Sequence, residues 1–134
     1  MVRRKLNNII KPLIIIFYTS ALIIQILVIL KAIPFSWVNG GISKDYEAQV
    51  MQSLISIVVI AVIFNFVIKA RNMHGVVSGL RFKALYGITV FWTLGFIMQL
   101  AGTFFERYVL SIVLLLGVLS HIKLIRQIHA HKNQ

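Results

Sequence analysis

Residues 34–52 read PFSWVNGGISKDYEAQVMQ, the one stretch where turn formers, both signs of charge and an indole crowd together between two long apolar runs. The run before it, LIIIFYTSALIIQILVIL at 13–30, and the run after it, SLISIVVIAVIFNFVI at 53–68, carry no charge at all. Each is close to the roughly 20 apolar residues that cross a bilayer as a helix. Pro34 stops the first run, Trp37 suits the interfacial belt, and Asn39-Gly40-Gly41 supplies residues that accept positive φ. The stretch therefore reads as a turn outside the membrane, with Ser43 as N-cap and Asp45 and Glu47 in the first turn of the next helix, where the backbone dipole favours carboxylates.

The whole composition agrees. Of 134 residues 59% are hydrophobic and 13% charged, with mean hydropathy +0.89, against roughly 45–50% and about 25% in soluble domains. The net charge of +11 does not indicate nucleic acid, because Lys and Arg sit in clusters at the ends of apolar runs and not along one polar face. No cysteine is present, which removes disulfides, thiolate metal sites and dithiol redox chemistry. No linker or internal repeat divides the chain, so a single transmembrane domain over 1–134 is expected.

Outward from the central turn, the chain reads as four spans at about 12–33, 46–69, 84–101 and 104–125. The first apolar run is too long for a signal-peptide core and no small-residue cleavage site follows it, so it reads as a retained span opened by Pro12. Tyr18, Ala21 and Gln25 share one face of that helix, and Lys31 is placed to snorkel. In the second span Gln49, Gln52, Ser53 and Ser56 group on one face, with Asn65 roughly opposite. Lys69, Arg71, His74, Arg81 and Lys83 bracket a short loop with Gly75 and Gly79. The third span carries a strip of Trp92, Gly95, Gln99 and Gly102, where small residues let helices approach closely. Thr103 and Glu106 have capping-box spacing at the head of the fourth span, and the short distance from Arg107 to Lys123 requires snorkelling ends.

Orientation follows from the cations. Four of the fourteen Lys and Arg precede or open the first span, four lie between the second and third, and three follow the fourth, against Lys31, Lys44 and Arg107 on the other side. This bias predicts cytoplasmic N and C termini. The fold class expected is thus all-α, an integral-membrane, antiparallel four-helix transmembrane bundle, with Asp45, Glu47 and Glu106 outside.

The best candidate site is that outer end. If the second and fourth helices are neighbours, Trp37, Asn39, Glu47, Gln49, Gln52, Gln99, Glu106 and Arg107 line an outward polar cluster capped by the Gly-Gly loop. The structural alternative is helix capping with an Arg107–carboxylate pair. Lys69, Arg71, Arg81, Lys83, Lys123 and Arg126 form a basic inner rim suited to anionic lipid headgroups. Gln25, Gln52, Ser56, Asn65, Gln99 and His121 read as interhelical hydrogen-bond formers. No acid lies mid-span, which argues against cation/proton antiport. His74, His121, His129 and His131 lack accompanying carboxylates, so no metal and no cofactor is expected, nor is a nucleophile motif present.

Two segments, WVNGG followed by SKDYEAQ and then MQLAGTFFE, resemble a group of small, uncharacterised four-span bacterial membrane proteins with a W-V/I-N-G-G loop and a G-T-x-F-E turn. Trp37, Asn39, Gly40, Gly41, Glu47, Gly102, Thr103, Phe105 and Glu106 carry the likeness. Ile42 stands where a basic residue is expected, which counts against an anion-binding role for the loop. The resemblance implies a multi-pass protein of a bacterial plasma membrane and transfers no activity. The expectation is a non-enzymatic accessory or small-ligand- or lipid-binding component, in contact with anionic lipid and with itself or another membrane protein. The alternatives are a subunit of an oligomeric transporter or channel, and a lipid-modifying enzyme using Glu47 or Glu106.

Overall fold

The computed structural model describes residues 2–72 and 78–132, and the side chains of 9–71 and 78–130. His74 and Gly75 lie outside the described residues, as do the side chains of His131 and of the basic residues at 3–5. The chain forms four long helices: α1 (Val2–Ile29), α2 (Tyr46–Asn72), α3 (Gly79–Leu100) and α4 (Ser111–Lys132), the last entered through a π-helical turn at Glu106–Leu110. No strand occurs among the described residues. An antiparallel four-helix bundle results, with α1 packed on both α2 and α4 and with α3 packed on α4.

That order does not meet the condition on which the outer cluster was assembled. The second and fourth helices are not packed neighbours, because α1 lies between them. α2 and α3, although consecutive, scarcely touch. The reason α1 and α4 take the centre is a close approach at Gly117, where an added Cβ would stand 2.5 Å from Cε2 of Phe17. Phe17 is wholly buried there, edge-on to Tyr18, Trp92 and His121 at centroid distances of 4.8, 5.1 and 5.9 Å.

The helix ends differ from the sequence expectation in instructive ways. α1 begins ten residues before Pro12, so this proline is interior and withholds one amide from the helix ladder. Neighbouring helices make such a loss tolerable in a membrane protein. α1 also ends before Pro34 acts. Lys31 takes φ 61, its amide bonds Val28 O at 3.1 Å and the Ala32 amide reaches back to Leu27 O at 2.9 Å, the paired bonds of a Schellman stop. The Lys31 ammonium then lies 4.3 Å from the centre of the Tyr46 ring. The N-cap of α2 is Asp45 and not Ser43, since Asp45 Oδ1 accepts the Ala48 amide at 2.8 Å. α3 starts five residues earlier than 84, capped by Ser78, which accepts from the Arg81 amide at 3.4 Å, so Arg81 and Lys83 stand on its first turns and Gly79 is helical. The expected capping box at the head of the fourth helix forms: the Thr103 amide bonds Glu106 Oε2 at 2.7 Å and the Glu106 amide bonds Thr103 Oγ1 at 3.3 Å.

All four helices are long and apolar enough to cross a membrane: Ile9–Ile29, Tyr46–Arg71, Gly79–Leu100 and Glu106–Ala130 have hydropathies of 2.4, 2.4, 1.2 and 2.1. Only 22%, 17%, 17% and 39% of their apolar windows are buried inside the protein. Large side chains such as Met51, Val58, Val62, Leu94, Met98 and Ile112 point outward and are each more than half exposed, a kind of surface that water-soluble monomers keep to patches of roughly a few hundred Å². Hydrocarbon is the medium that accommodates such a surface, and the chain is a multi-pass membrane protein.

Candidate functional site

The crown, residues 30–45, is held down by polar contacts from both sides. Asn39, Gly40 and Gly41 take left-handed φ values of 53, 65 and 68, and this turn aims the Gly40 amide at α4's lead-in. Gly40 N–H donates to both carboxylate oxygens of Glu106 at 3.0 Å, while Thr103 donates through its amide to the same group and through its hydroxyl to the Trp37 carbonyl. The loop therefore does hold an anion, and the anion is the protein's own. Glu106 is 2% exposed, and Gly102 is needed beside it because a Cβ at that position would fall 2.2 Å from Oε2.

On the α2 side the Asn39 amide donates to Gln49 Oε1 at 3.0 Å and to Gln52 Oε1 at 2.6 Å. Ser43 Oγ donates to Gln49 Oε1 at 2.6 Å, and Gln49 Nε2 donates to Ser53 Oγ at 3.2 Å. The crown loop thus bridges α2 and α4 across α1, joining at a distance two helices that do not pack. Of the expected outer cluster, Asn39, Gln49, Gln52 and Glu106 are gathered in this lock. Trp37 packs on Phe105 at 5.8 Å, and Arg107 donates Nε–H to the Leu100 carbonyl at 3.1 Å, serving the end of α3. Glu47 stands exposed on the first turn of α2.

Beneath the lock is a cavity of about 290 Å³ in the crown half of the bundle, close to the lower limit of ordinary ligand pockets. Every helix contributes. Its polar lining is Gln25, Asn39, Ser56 and Gln99, its walls are aliphatic residues such as Ile24, Val59 and Leu114, and no ionisable side chain is among them. Gln99 Oε1 is buried with no hydrogen-bond partner, a costly condition for an amide oxygen. Gln99 was legible in sequence as a seam residue; that Gln25 and Ser56 converge with it required the packing.

The floor of the cavity is Trp92. Its Nε1–H donates to the Tyr18 hydroxyl at 3.3 Å, Tyr18 lies 2.8 Å from His121 Nε2, and His121 Nδ1 lies 2.6 Å from the Gly117 carbonyl. A carbonyl can only accept, so Nδ1 carries the ring proton, Nε2 accepts, and Tyr18 donates to it. One hydrogen arrangement satisfies all three groups. Phe17 and Phe64 seal the surroundings, Phe64 stacking on Tyr18 at 4.9 Å. These residues were separate features of the sequence and become one buried plug in the fold.

At the opposite end the antiparallel topology collects Lys69 and Arg71 of α2, Arg81 and Lys83 of α3, and Lys123 and Arg126 of α4. All are exposed except the half-buried Arg71. A groove of about 260 Å³ between α3 and α4, with Thr89, Val90 and Ile125 in its walls, reaches this rim at Arg126. Comparison with protein-family models, curated proteins and solved structures gives no match, so the functional reading rests on this geometry.

Proposed function

We propose that this protein binds a small ligand within the membrane, in the cavity under the crown, and acts as a non-enzymatic accessory component. The observation that carries the reading is the convergence of Gln25, Ser56 and Gln99 on one space that the packed helices leave open. Gln99 Oε1 is buried without a donor, a cost of about 1–3 kcal/mol, and a donating occupant recovers that loss once the Gln99 side chain turns its oxygen into the cavity. Conduction by a single bundle is the weaker reading, because the cavity ends on Trp92 and the Tyr18–His121 plug. Acid–base catalysis by Glu106 or Glu47 is also weaker. Glu106 is engaged by two backbone amides, Glu47 is exposed, and neither lines the cavity.

In this reading the crown faces outward from a bacterial plasma membrane, the basic rim and both termini face the cytoplasm, and the rim attracts anionic headgroups at about 1 kcal/mol per cation. The resemblance carried by the WVNGG loop and the GTFFE turn supports the same placement. Quantitative mass spectrometry of material extracted from purified protein tests the binding claim. Wild type should retain a small molecule in near-stoichiometric amount, and Ser56→Phe, which fills the cavity, should lose it. Identical extracts from two equally folded proteins contradict the proposal.

A further inference from the structure

We infer that the cavity is loaded sideways from the bilayer, and that its ligand class is a neutral single-chain amphiphile whose head carries a hydroxyl donor; this rests on the binding role proposed above. The route is set by the weakest seam of the bundle. α2 and α3 scarcely touch, and the cavity is walled by both. Three of its lining residues, Ile55 and Val59 on α2 and Phe91 on α3, are 57%, 39% and 51% exposed, so the mouth lies between these helices on the hydrocarbon side. The roof, although exposed, is tied down by hydrogen bonds: Asn39 spends its amide on Gln49 and Gln52, and Gly40 is pinned by Glu106.

Depth gives the orientation of the occupant. Gln99 lies one residue from the end of α3, whereas Phe91 is eight residues further in, roughly 12 Å at 1.5 Å per residue. A head at Gln99 therefore sits near the crown-side interface, and its chain leaves at the level of the acyl tails. The lining selects the head. Gln99 lines the cavity and its buried Oε1 lacks a donor, which an occupant supplies when that amide turns inward; Gln25 and Ser56 offer further neutral hydrogen-bonding groups, and no ionisable side chain is present to balance a phosphate, carboxylate or ammonium. The volume of about 290 Å³ gives room for a small head and the start of one chain.

The test uses the full chain in phosphatidylcholine vesicles. Trp37→Phe leaves Trp92, on the cavity floor, as the single indole. Dibrominated monoacylglycerol should quench Trp92 saturably at low mole fraction. The methyl ester of the same brominated acid, which lacks the donor, and brominated phosphatidylcholine should give only the shallow response of bulk lipid. Gln99→Leu should weaken the saturable phase about fivefold, the loss of one hydrogen bond, and Val59→Phe at the exposed mouth should weaken it without touching the head site. A second arm labels Ser56→Cys, the sole cysteine, with a water-soluble thiol reagent from the crown side; no reaction is expected. Saturable quenching by the methyl ester overturns the donor requirement, and rapid aqueous labelling overturns the lateral route; both leave a binding cavity intact. If no lipid quenches saturably and the aqueous reagent also fails to react, the inference and the binding role fall together.

Discussion

Removing the charge of Glu106 while keeping its shape is the sharpest probe of the crown. In Glu106→Gln one carboxylate oxygen becomes an NH2 group, and Gly40 N–H, which lies 3.0 Å from both oxygens, then faces a donor on one side. The Gly40 and Thr103 amides keep at most one neutral acceptor between them, where each now has a charged one. A hydrogen bond to a charged group contributes about 1.5–3 kcal/mol and a neutral one about 0.5–1.5, so two such downgrades cost about 2 kcal/mol. Crown opening should become roughly thirtyfold more frequent, at tenfold per 1.4 kcal/mol. Hydrogen–deuterium exchange at the Gly40 and Gly41 amides reads this directly, and an SDS titration followed by circular dichroism reads the global loss. Glu47→Gln is the control, an exposed carboxylate whose helix-dipole interaction amounts to about 0.5 kcal/mol. Equal effects of the two substitutions, or unchanged Gly40 exchange in Glu106→Gln, would refute the assignment of Glu106 as the crown's anchor.

Other perturbations separate the remaining contacts. Gly117→Ala drives a methyl to 2.5 Å from the Phe17 ring, which has no free space to move into; overpacking of this kind should cost about 1–3 kcal/mol in the same titration, and a silent result would mean that α1 and α4 are not in close contact. Tyr18→Phe leaves both Trp92 Nε1–H and His121 Nε2 without their partner, so it should destabilise by about 1–3 kcal/mol, and the double-mutant cycle with His121→Phe should show strong coupling; additivity would show that the 2.8 Å contact is not a stabilising hydrogen bond. Lys31→Gly relieves a left-handed lysine, about 1–2 kcal/mol, but removes an ammonium–ring contact of about 0.5–1, so stability should rise slightly. Lys31→Val, branched at the same φ of 61, should fall below wild type, and the reverse order would deny the Schellman stop.

The four helices were readable because an uncharged run of this length has one stable way to satisfy its backbone in lipid, and basic residues mark where each run leaves it. Capping was readable too where partners lie three residues apart, as for Thr103 and Glu106. What the sequence hid was the neighbour order. A helix apolar on every side carries no stripe that names its partner, so whether α2 meets α4 stayed open until the packing showed α1 against both. Gly117 and Phe17, or Tyr18 and His121 at a separation of 103 residues, make contacts for which no local pattern exists. The outer polar residues stood together in the sequence, yet how they divide did not show there. Asn39, Gln49, Gln52 and Glu106 close the crown, while Gln99 is left over with Gln25 and Ser56 around the cavity. Helix ends moved for the same reason that Lys31 surprises: a Schellman stop ordinarily signalled by glycine is here made by lysine, which the Tyr46 ring then covers.

The orientation we propose, a membrane-spanning bundle with its crown outside and its basic rim inside, is tested most directly by paired cysteine labelling on intact cells. Ile42→Cys sits at the crown, 82% exposed, and Ser78→Cys sits at the opposite end before α3, in a chain with no cysteine of its own. An impermeant maleimide applied from outside should label Ile42→Cys at once and reach Ser78→Cys only after the cells are broken. Labelling of Ser78→Cys alone in intact cells would invert the topology, and labelling of both would contradict a spanning bundle.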